Sequence, residues 1–450
     1  MNIPVQILAI LNKLQSSGHN AYLVGGCVRD FVMGRIPSDY DICTDATPCR
    51  VKAVFSKERV IETGLRHGTV TVITDGIPVE ITTFRKDGDY TDHRRPSSIE
   101  FVKTIEADIE RRDFTINAIA YDGNKITDPF GGEGDIAAGV IRCVGNARRR
   151  FGEDALRIMR MFRFAAVLGF DIDPDTLKSA ADNKGLLKNI AKERIREEFN
   201  KILTSPQPSG VLRIMLDNGI FDEFIPEFTP CGGFVQNNPH HCSTISEHIL
   251  NAVDYIRPEL ILRLSAFFHD IGKPRCYGED DNGIGHFFGH SKISGEMTSK
   301  IMKRLRYSRK EITTVRRLVD RHMTLPENQK QMRKLIADLG PDLLMLLLEL
   351  KAADISALTP STAQKYGREL AAIKKEIVGI IESMPPVTLG DLAINGKDLL
   401  DIGIPQGKKI GETLSYLLER VIDDPQLNNR EELLYQCRIK NVALSVTPPA

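Results

Sequence analysis

The alternation of apolar and polar positions divides the chain into a short β-containing part and a much longer helical part. Apolar residues at helical spacing predict a first helix over residues 3–18. Strict alternation follows in residues 68–73 and 77–84, which are joined at Asp75-Gly76, a dipeptide typical of tight hairpins. After residue 205 the apolar spacing is almost wholly helical. The pattern predicts an α+β protein in which a small mixed sheet with helices precedes an all-α remainder.

The first candidate site is a Gly-Gly turn between two predicted strands. Gly25-Gly26 follow an apolar strand, and a short helix with Arg29 comes next. Backbone N–H groups of glycine can approach a phosphate closely because no Cβ intervenes. The second strand carries Asp39 and Asp41, whose spacing directs both carboxylates to one face. Mg²⁺ binds carboxylate oxygens together with substrate phosphates, so the stretch indicates nucleotidyl transfer. A lone Asp-x-Asp would more often be a solvated turn.

Three flanking features bear on this site. Glu80, on the second strand of the hairpin, either faces the two aspartates as a third carboxylate or faces solvent. The polar, turn-rich residues 86–98 predict a mobile loop, either on the plain surface or over the active site. A helix is predicted over residues 108–121. On it, Arg112 and Asp113 form either a buried ion pair or a contact with a triphosphate.

A basic helix is predicted after the sheet. Residues 142–163 contain seven arginines and only two acidic residues, and residues 151–164 have the pattern of one helix with an acidic first turn. A stripe along it consists of Asp154, Arg157, Arg160 and Arg163. A carboxylate acceptor and a guanidinium donor one turn apart can hydrogen-bond the edge of a nucleobase. The plainer interpretation is an exposed salt bridge, which stabilises little.

The helical part contains a second constellation with metal-binding chemistry. Its members are His248, His269, Asp270 and Asp354. Histidine nitrogen and carboxylate oxygen suit a divalent transition metal as well as Mg²⁺. His286, His290 and His322 could extend the set to two metals or to phosphate contacts. Individually, each histidine could equally cap a helix or pack in the core.

Charge and composition add limits to this picture. The 60 basic and 60 acidic residues cancel, so only local patches can indicate a nucleic-acid partner. Residues 300–321 form such a patch, with nine basic and two acidic residues, and the lysines and glycines of residues 396–411 could contact RNA phosphates. The eight cysteines contain no C-x-x-C pair, which favours reduced thiols in the cytoplasm. The longest apolar run, residues 343–348, is too short to span a membrane.

With these residues assembled, nearly the whole chain resembles the bacterial class II tRNA nucleotidyltransferases, the CCA-adding enzymes and poly(A) polymerases of the polymerase-β superfamily. The motifs that carry the resemblance are Gly25-Gly26-x-x-Arg29-Asp30 with Asp39-x-Asp41, residues 111–118 (RRDFTINA), Glu153-Asp154-x-x-Arg157 with Arg160 and Arg163, residues 193–198 (ERIREE), and the Gly-Lys-Asp-Leu to Ile-Gly-Glu run of residues 396–412. The middle of the chain resembles an HD phosphohydrolase domain.

The resemblance implies a catalytic head over residues 1–140, a base-recognising neck over 141–205, an HD-type body over 206–380 and a tRNA-binding tail over 381–450. It implies two Mg²⁺ ions on Asp39 and Asp41. The strand pattern adds Glu80 as the candidate third catalytic carboxylate. Nucleotide binding is implied for Gly25, Gly26, Arg29, Arg112, Asp154, Arg157, Arg160 and Arg163. The implied HD metal ligands are His248, His269, Asp270 and Asp354, and the implied partners are CTP, ATP and the acceptor stem of tRNA.

The resemblance does not decide which member of the family this chain is. Full CCA addition is favoured because the Glu-Asp-x-x-Arg motif is intact and the loop over residues 89–96 is present. An A-adding enzyme or a poly(A) polymerase would share the head. The HD ligands imply an additional phosphohydrolase or cyclic phosphodiesterase activity in repair of RNA 3′ ends. A metal-dependent phosphohydrolase whose head only binds RNA is the alternative from another class.

Overall fold

The computed structural model describes residues 3–88, 98–239, 243–383 and 388–445. Of the loop predicted over residues 86–98, residues 89–97 lie outside these ranges, and Lys86 and Asp87 belong to a short strand instead. The chain forms two compact units, one of residues 1–232 with 301–307 and the other of residues 233–300 with 308–450. Among the described residues, no helix combines the length and the apolar character needed to cross a membrane.

The first unit contains a sheet surrounded by helices. Its described helices are α1 (Val5–Ser16), α2 (Gly26–Val32), α3 (Pro48–Val54), α4 (Ile105–Glu110), α5 (Gly132–Ala138), α6 (Ala147–Glu153), α7 (Leu156–Leu168), α8 (Pro174–Asn183), α9 (Lys192–Leu203) and α10 (Ser209–Asp217). Its described strands are β1 (Ala21–Val24), β2 (Asp41–Thr44), β3 (Arg59–Ile61), β4 (Thr69–Thr74), β5 (Ile77–Thr83), β6 (Arg85–Asp87), β7 (Ile99–Phe101), β8 (Ala120–Tyr121), β9 (Ile126–Thr127), β10 (Val140–Ile141) and β11 (Asp171–Ile172).

The described residues form a seven-stranded mixed sheet in the order β3-β4-β5-β2-β1-β8-β9. Strands β2 and β5 are parallel, and the other neighbours are antiparallel. The register pairs Asp41 with Val24 on β1 and with Glu80 on β5. The Gly-Gly turn that follows Val24 therefore emerges beside Asp41. The hairpin turn predicted at Asp75-Gly76 joins β4 to β5, and the prediction of an α+β fold is confirmed.

Buried apolar side chains fix this part of the sheet. The cluster behind the turn consists of Val24, Cys43, Phe84, Ile105, Ile109, Ala118, Ala120 and Val144. It joins strands β1, β2 and β8 to helix α4, so the backbone on either side of the turn is held by packing.

Three local predictions need correction. The strand that follows the turn begins at Asp41, so Asp39 precedes it and the two aspartates do not share a strand face. The helix predicted over residues 108–121 ends at Glu110, because the Asp113 carboxylate accepts the Phe114 N–H and so competes with helical hydrogen bonding. The helix predicted over residues 151–164 breaks at Asp154, whose extended backbone separates α6 from α7.

The second unit is almost entirely helical in its described residues. Its helices, apart from residues 301–304 at the end of α13, are α11 (Ile245–Tyr255), α12 (Leu260–Phe268), α13 (His290–Arg304), α14 (Arg309–Arg321), α15 (Gln329–Leu339), α16 (Pro341–Ser356), α17 (Pro360–Glu382), α18 (Gly396–Asp401), α19 (Lys408–Asp423) and α20 (Arg430–Ser445). A short hairpin of β12 (Gly278–Glu279) and β13 (Gly285–His286) precedes α13. Helices α11, α12, α14 and α16 pack around one another, and the last three helices have a separate apolar core that includes Leu399, Leu417 and Leu433.

Candidate active site and metal centre

An open polar cavity of about 440 Å³ lies in the first unit. Its lining residues are Gly25, Gly26, Arg29, Asp39, Asp41, Arg111, Arg112, Asp113, Asn117, Asp154, Arg157, Arg160, Phe164 and Arg194. The structure thus brings the glycine turn, the aspartate pair and three of the four members of the predicted stripe into one recess. Glu80 and Arg163 lie outside the lining of this cavity.

The glycine turn leaves backbone accessible on one side of the cavity. Gly25 has φ +75° and ψ −133°, a conformation that side-chain-bearing residues rarely adopt. A Cβ on Gly25 would stand 2.9 Å from Nη1 of Arg112. The absent side chain therefore allows the guanidinium of Arg112 to lie against the turn. The guanidinium and the backbone N–H groups of the turn then adjoin the same cavity.

Two of the arginines that line the cavity, Arg29 and Arg112, are held by hydrogen bonds behind them. Arg29 donates from Nη1 to Oδ1 of Asn117 at 2.9 Å and from Nε to Oδ1 of Asp30 at 2.9 Å. Arg112 donates from Nη2 to Oδ2 of the fully buried Asp108 at 3.4 Å. These contacts restrict the rotamers of both side chains, so both are arranged for an anion before one binds.

The aspartate pair has the properties of a cation site. Loss of water around Asp41, together with the nearby charges of Asp39 and Glu80, raises the pKa of Asp41 to about 6, although Arg112 opposes the shift. Mutually repelling carboxylates in a recess are stabilised by a divalent cation with oxygen preference. The residues present therefore fit a divalent metal. Glu80 contributes charge from the neighbouring strand, and its side chain is exposed.

A second set of buried ion pairs holds the basic helix α7 in place. Arg160 donates from Nε to Oδ2 of Asp113 at 2.7 Å. Burial would raise the pKa of Asp113, but the charges of Arg160 and Arg157 and the hydrogen bonds that Asp113 accepts lower it to about 2. Arg157 donates to Oε2 of Glu153 at 2.8 Å and to the carbonyl oxygen of Arg111 at 2.9 Å. The guanidinium of Arg157 therefore has a fixed orientation at the cavity wall.

Asp154 lies in the break between α6 and α7. Its Oδ1 accepts the N–H of Leu156 at 3.0 Å, and its Oδ2 lies 3.8 Å from Nη2 of Arg194 on α9. Burial raises the pKa of Asp154, while Arg194 and neighbouring positive groups oppose that shift. Arg163 does not continue the stripe into the cavity. Its Nε lies 3.2 Å from Oε2 of Glu198, and its guanidinium stacks on the ring of Phe164.

The sequence patterns missed Arg111, Asn117, Phe164 and Arg194 as lining residues. Arg111, Asn117 and Arg194 lie in stretches that carry the family resemblance, and Phe164 directly follows Arg163 in another motif, so the resemblance was the available signal. The spacing gave no indication of their position, because Asn117 depends on the end of α4 and Arg194 on the packing of α9 against α7.

The second unit collects its predicted ligands between helices. His248, His269 and Asp354 form one group whose ligand atoms all lie within 4.8 Å of one another, and Asp270, His290 and His322 form another. Nε2 of His248 lies 3.0 Å from Oδ1 of Asp354. Five of these six side chains are buried, and Asp354 is partly exposed. Beside them is a cavity of about 270 Å³ that also reaches Lys273 and Phe288.

His286 belongs to neither group, although it lines the cavity beside them. It is partly exposed, and its Nε2 lies 3.0 Å from Oδ2 of Asp280. The predicted basic patch over residues 300–321 is partly neutralised within the second unit, since Arg316 pairs with Asp320, and Arg317 and Arg321 pair with Asp338. A role of this patch in binding RNA stays a prediction.

Comparison with known proteins gives consistent matches along the chain. Residues 21–142 match the model of the poly A polymerase head domain, 169–231 that of the probable RNA and SrmB-binding site of polymerase A, and 280–437 that of the putative tRNA nucleotidyltransferase domain 2. The CCA-adding enzyme of Limosilactobacillus fermentum is 33% identical over 94% of this chain and 94% of its own length. That of Geobacillus thermodenitrificans is 33% identical over 96% of this chain and 95% of its own.

The chain belongs to the CCA-adding enzyme family. The crystal structure of the Bacillus stearothermophilus CCA-adding enzyme in complex with CTP covers 97% of this chain and 98% of its own, with 28% identity and a TM-score of 0.72. The Thermotoga maritima CCA-adding enzyme complexed with tRNA has the same fold, with 20% identity, coverage of 97% and 96%, and a TM-score of 0.63.

Membership in the CCA-adding enzyme family confirms the predicted tRNA nucleotidyltransferase class. The individual site residues and the four domain boundaries stay predictions. His248, His269 and Asp270 lie between the second and third segments that the family models match. The other three members of the two ligand groups, His290, His322 and Asp354, lie within the third segment.

Proposed function

We propose that this protein completes the 3′ end of tRNA by adding C, C and A in turn from CTP and ATP. The observation that carries the proposal is the single cavity in which a glycine turn, an acidic pair and the Asp154/Arg157 pair converge. The chain covers at least nine-tenths of several CCA-adding enzymes, which supports the same activity for the whole protein. The free cysteines among the described residues fit the proposed cytoplasmic location.

The chemistry is transfer of a nucleotidyl group to the RNA 3′ oxygen. A bond forms between that oxygen and the α-phosphorus, the bond from the α-phosphorus to the leaving pyrophosphate breaks, and the hydroxyl proton passes to solvent. Arg29, Arg112 and the Gly25-Gly26 turn hold the triphosphate in line for this displacement. Asp39 and Asp41 would hold Mg²⁺, which when bound neutralises phosphate charge and activates the attacking hydroxyl.

The cavity wall at the break before α7 is the part of the site that we propose selects the nucleotide. Asp154 accepts from the exocyclic amine of C or A, and Arg157 donates to ring nitrogen or carbonyl oxygen. U and G present a different edge and leave Asp154 without a donor at that position. Arg160 supports the wall through its ion pair with Asp113. Arg163 acts from behind, through Phe164 and Glu198.

The test uses three tRNA substrates, ending before CCA, in C, and in CC, with labelled CTP and ATP. Extension of all three to CCA supports the proposal. Extension of only the last indicates an A-adding enzyme, and long A tails on any RNA indicate a poly(A) polymerase. Asp39→Asn with Asp41→Asn should abolish every extension, and full activity in that variant would contradict the assigned site.

The second unit supports a second candidate function, a metal-dependent phosphohydrolase. Its supporting observation is the pair of buried ligand groups beside an open cavity with the cation Lys273. Water would attack phosphorus, the bond to the leaving alcohol oxygen would break, and that oxygen would take up a proton. Release of product from 2′,3′-cyclic AMP by the Asp39→Asn/Asp41→Asn chain, lost in His269→Ala, supports it. No release in the presence of Mg²⁺, Mn²⁺ or Ni²⁺ would exclude it for this substrate.

A further inference from the structure

Asp108 is a fully buried carboxylate that does not line the cavity of the first unit, yet it contacts two arginines that do. Its Oδ1 accepts from Nε and Nη2 of Arg111 at 3.0 and 2.8 Å. Its Oδ2 accepts from Nη2 of Arg112 at 3.4 Å. Because α4 ends at Glu110, the geometry of that helix does not orient these two side chains. One carboxylate therefore holds both guanidinium groups from behind.

The remaining contacts of Asp108 hold the carboxylate itself in place. Oδ1 also accepts the backbone N–H of Arg85 at 3.2 Å. Burial raises the pKa of Cys43 to about 12, so its thiol stays protonated and donates to Oδ2 at 3.5 Å. Burial would raise the pKa of Asp108, but the charges of Arg111 and Arg112 and the hydrogen bonds that Asp108 accepts lower it. Asp108 is therefore an ionised anchor with a fixed orientation.

Arg112 has an alternative anion on strand β2. Its Nη2 lies 3.4 Å from Sγ of Cys43, and Asp41, two residues earlier on the strand, directs its side chain to the same face. Burial raises the pKa of Asp41, and the positive charge of Arg112 opposes that rise. Nε of Arg112 is buried and makes no hydrogen bond with the residues that the structure describes. A guanidinium released from Asp108 would therefore find a new partner in Asp41.

We propose that Asp108 is a positioning residue for nucleotidyl transfer. It directs Arg111 and Arg112 towards the space of the triphosphate and prevents Arg112 from pairing with Asp41. Asp41 then stays available to a divalent cation, and the Nε–H of Arg112 stays available to a phosphate oxygen. The inference rests on the triphosphate and metal sites proposed above. It adds that a residue outside the cavity keeps the positive and negative groups of those sites apart.

Binding of labelled CTP in EDTA tests the arginines without the metal. Asp108→Asn should weaken this binding roughly tenfold, because an amide has one acceptor oxygen and cannot hold both guanidinium groups. Loss of a negative charge that acted only through space would instead strengthen binding of the CTP anion. Unchanged or tighter binding in Asp108→Asn would therefore overturn the positioning role.

Asp173→Asn is the matched control for this change. Asp173 also pairs with an arginine, Arg142, but does not line the cavity, so this variant should bind CTP as the wild type does. An equal loss of binding in Asp173→Asn would overturn a specific role of Asp108. Absence of CTP binding in the wild type would overturn the proposed triphosphate site, and this inference with it.

Titration with Mn²⁺ tests the separation of Arg112 from Asp41. Electron paramagnetic resonance measures free Mn²⁺, and the same titration with Asp39→Asn and Asp41→Asn subtracts ions bound elsewhere. Asp108→Asn should lower the affinity of the aspartate pair for Mn²⁺, and should have no such effect in a chain that also carries Arg112→Met. An equal loss in the Arg112→Met chain would show that Asp108 acts by its charge alone and would overturn the competition.

A measurement on the wild type covers the case in which Asp108→Asn does not fold. The nitrogen-15 spectrum of the arginine side chains contains the Nε–H signal of Arg112, which is assigned by its loss in Arg112→Lys. Slow rotation of this guanidinium before CTP is added would support the anchoring by Asp108. Fast rotation, as in a solvated arginine, would overturn it.

Discussion

Arg112 occupies the space that a side chain on Gly25 would need, with its Nη1 2.9 Å from the position of that missing Cβ. Arg112 cannot simply swing away, because Nη2 is bound to the buried Asp108 and lies 3.4 Å from Sγ of Cys43. Gly25 is thus required for its positive φ and for the approach of the guanidinium. The proposed triphosphate cradle depends on this one contact.

Gly25→Ala should therefore lower kcat/KM for nucleotide addition by roughly tenfold to a hundredfold, which corresponds to about 1.4–2.7 kcal/mol of transition-state stabilisation. Steady-state kinetics with CTP on tRNA ending before CCA measure the loss. Gly34→Ala is the control, since Gly34 has φ +69° but open space where the Cβ would stand. Equal kinetic losses in both variants would mean that backbone strain alone is responsible and that the Arg112 contact is unimportant.

The Asp113–Arg160 pair predicts how acid weakens the first unit. The pKa of Asp113 is about 2 in the folded protein against an ordinary value of 3.8, so the unfolded chain takes up the proton first as pH falls. The pair therefore contributes its full stability above about pH 4, and loses it as pH falls towards 2. The shift corresponds to about 2 kcal/mol, of which about half should be lost by about pH 3.

Urea unfolding of the full chain between about pH 5 and pH 3 measures this dependence. Asp113→Asn should be less stable than the wild type at pH 5, because Arg160 loses the buried carboxylate with which it pairs, and its stability should fall less steeply with acid. Asp182→Asn, at an exposed position, should keep the wild-type slope. A wild-type slope in Asp113→Asn would show that another group dominates acid sensitivity.

Asp154→Ala should loosen nucleotide choice more than it slows the chemistry. The carboxylate would be the acceptor that distinguishes the amino edge of C and A, and one such polar contact discriminates by about 1–3 kcal/mol. The ratio of CTP to UTP incorporation should fall roughly tenfold or more. Arg149→Ala is the control, because Arg149 is largely exposed and pairs with Glu153. Equal loss of CTP, ATP and UTP use would contradict a role in base recognition.

The sequence was informative where chemistry depends on local spacing. The Gly25-Gly26 turn and the hairpin at Asp75-Gly76 could be predicted from neighbouring residues. Of the stripe, Asp154, Arg157 and Arg160 line the cavity, whereas Arg163 pairs with Glu198. Residue spacing predicted the wrong helix ends where a side chain replaces a helical hydrogen bond. Asp113 caps the Phe114 N–H and ends a helix early, and Asp154 breaks another helix by accepting the Leu156 N–H.

Contacts between elements that are far apart in the sequence were the second feature that residue spacing could not predict. Arg194 reaches the cavity because α9 packs on α7, and no pattern within either helix encodes that approach. The metal centre was likewise predictable only in part from the sequence. The His269-Asp270 dipeptide was a strong local signal, whereas the role of His290 and His322 depended on how α13 and α14 fold back onto Asp270.

Gly272→Ala tests whether the packing beneath the metal centre is as tight as the geometry indicates. A Cβ at this position would stand 2.7 Å from the backbone nitrogen of Ser294 and 3.1 Å from the carbonyl oxygen of His290. The Gly272 N–H also donates to Oγ of Ser294 at 3.0 Å. Alanine must therefore push the first turn of α13, with His290, away from Asp270.

Such overpacking should destabilise the second unit by about 1–3 kcal/mol. Thermal unfolding should show the loss, and Mn²⁺ titration should show weaker binding at the candidate ligand group of Asp270, His290 and His322. Gly278→Ala is the matched control, because its Cβ would meet open space and its φ is not in the left-handed region. If Gly272→Ala unfolds at the same temperature as Gly278→Ala and binds Mn²⁺ equally, the contact between this glycine and α13 does not hold His290 in place.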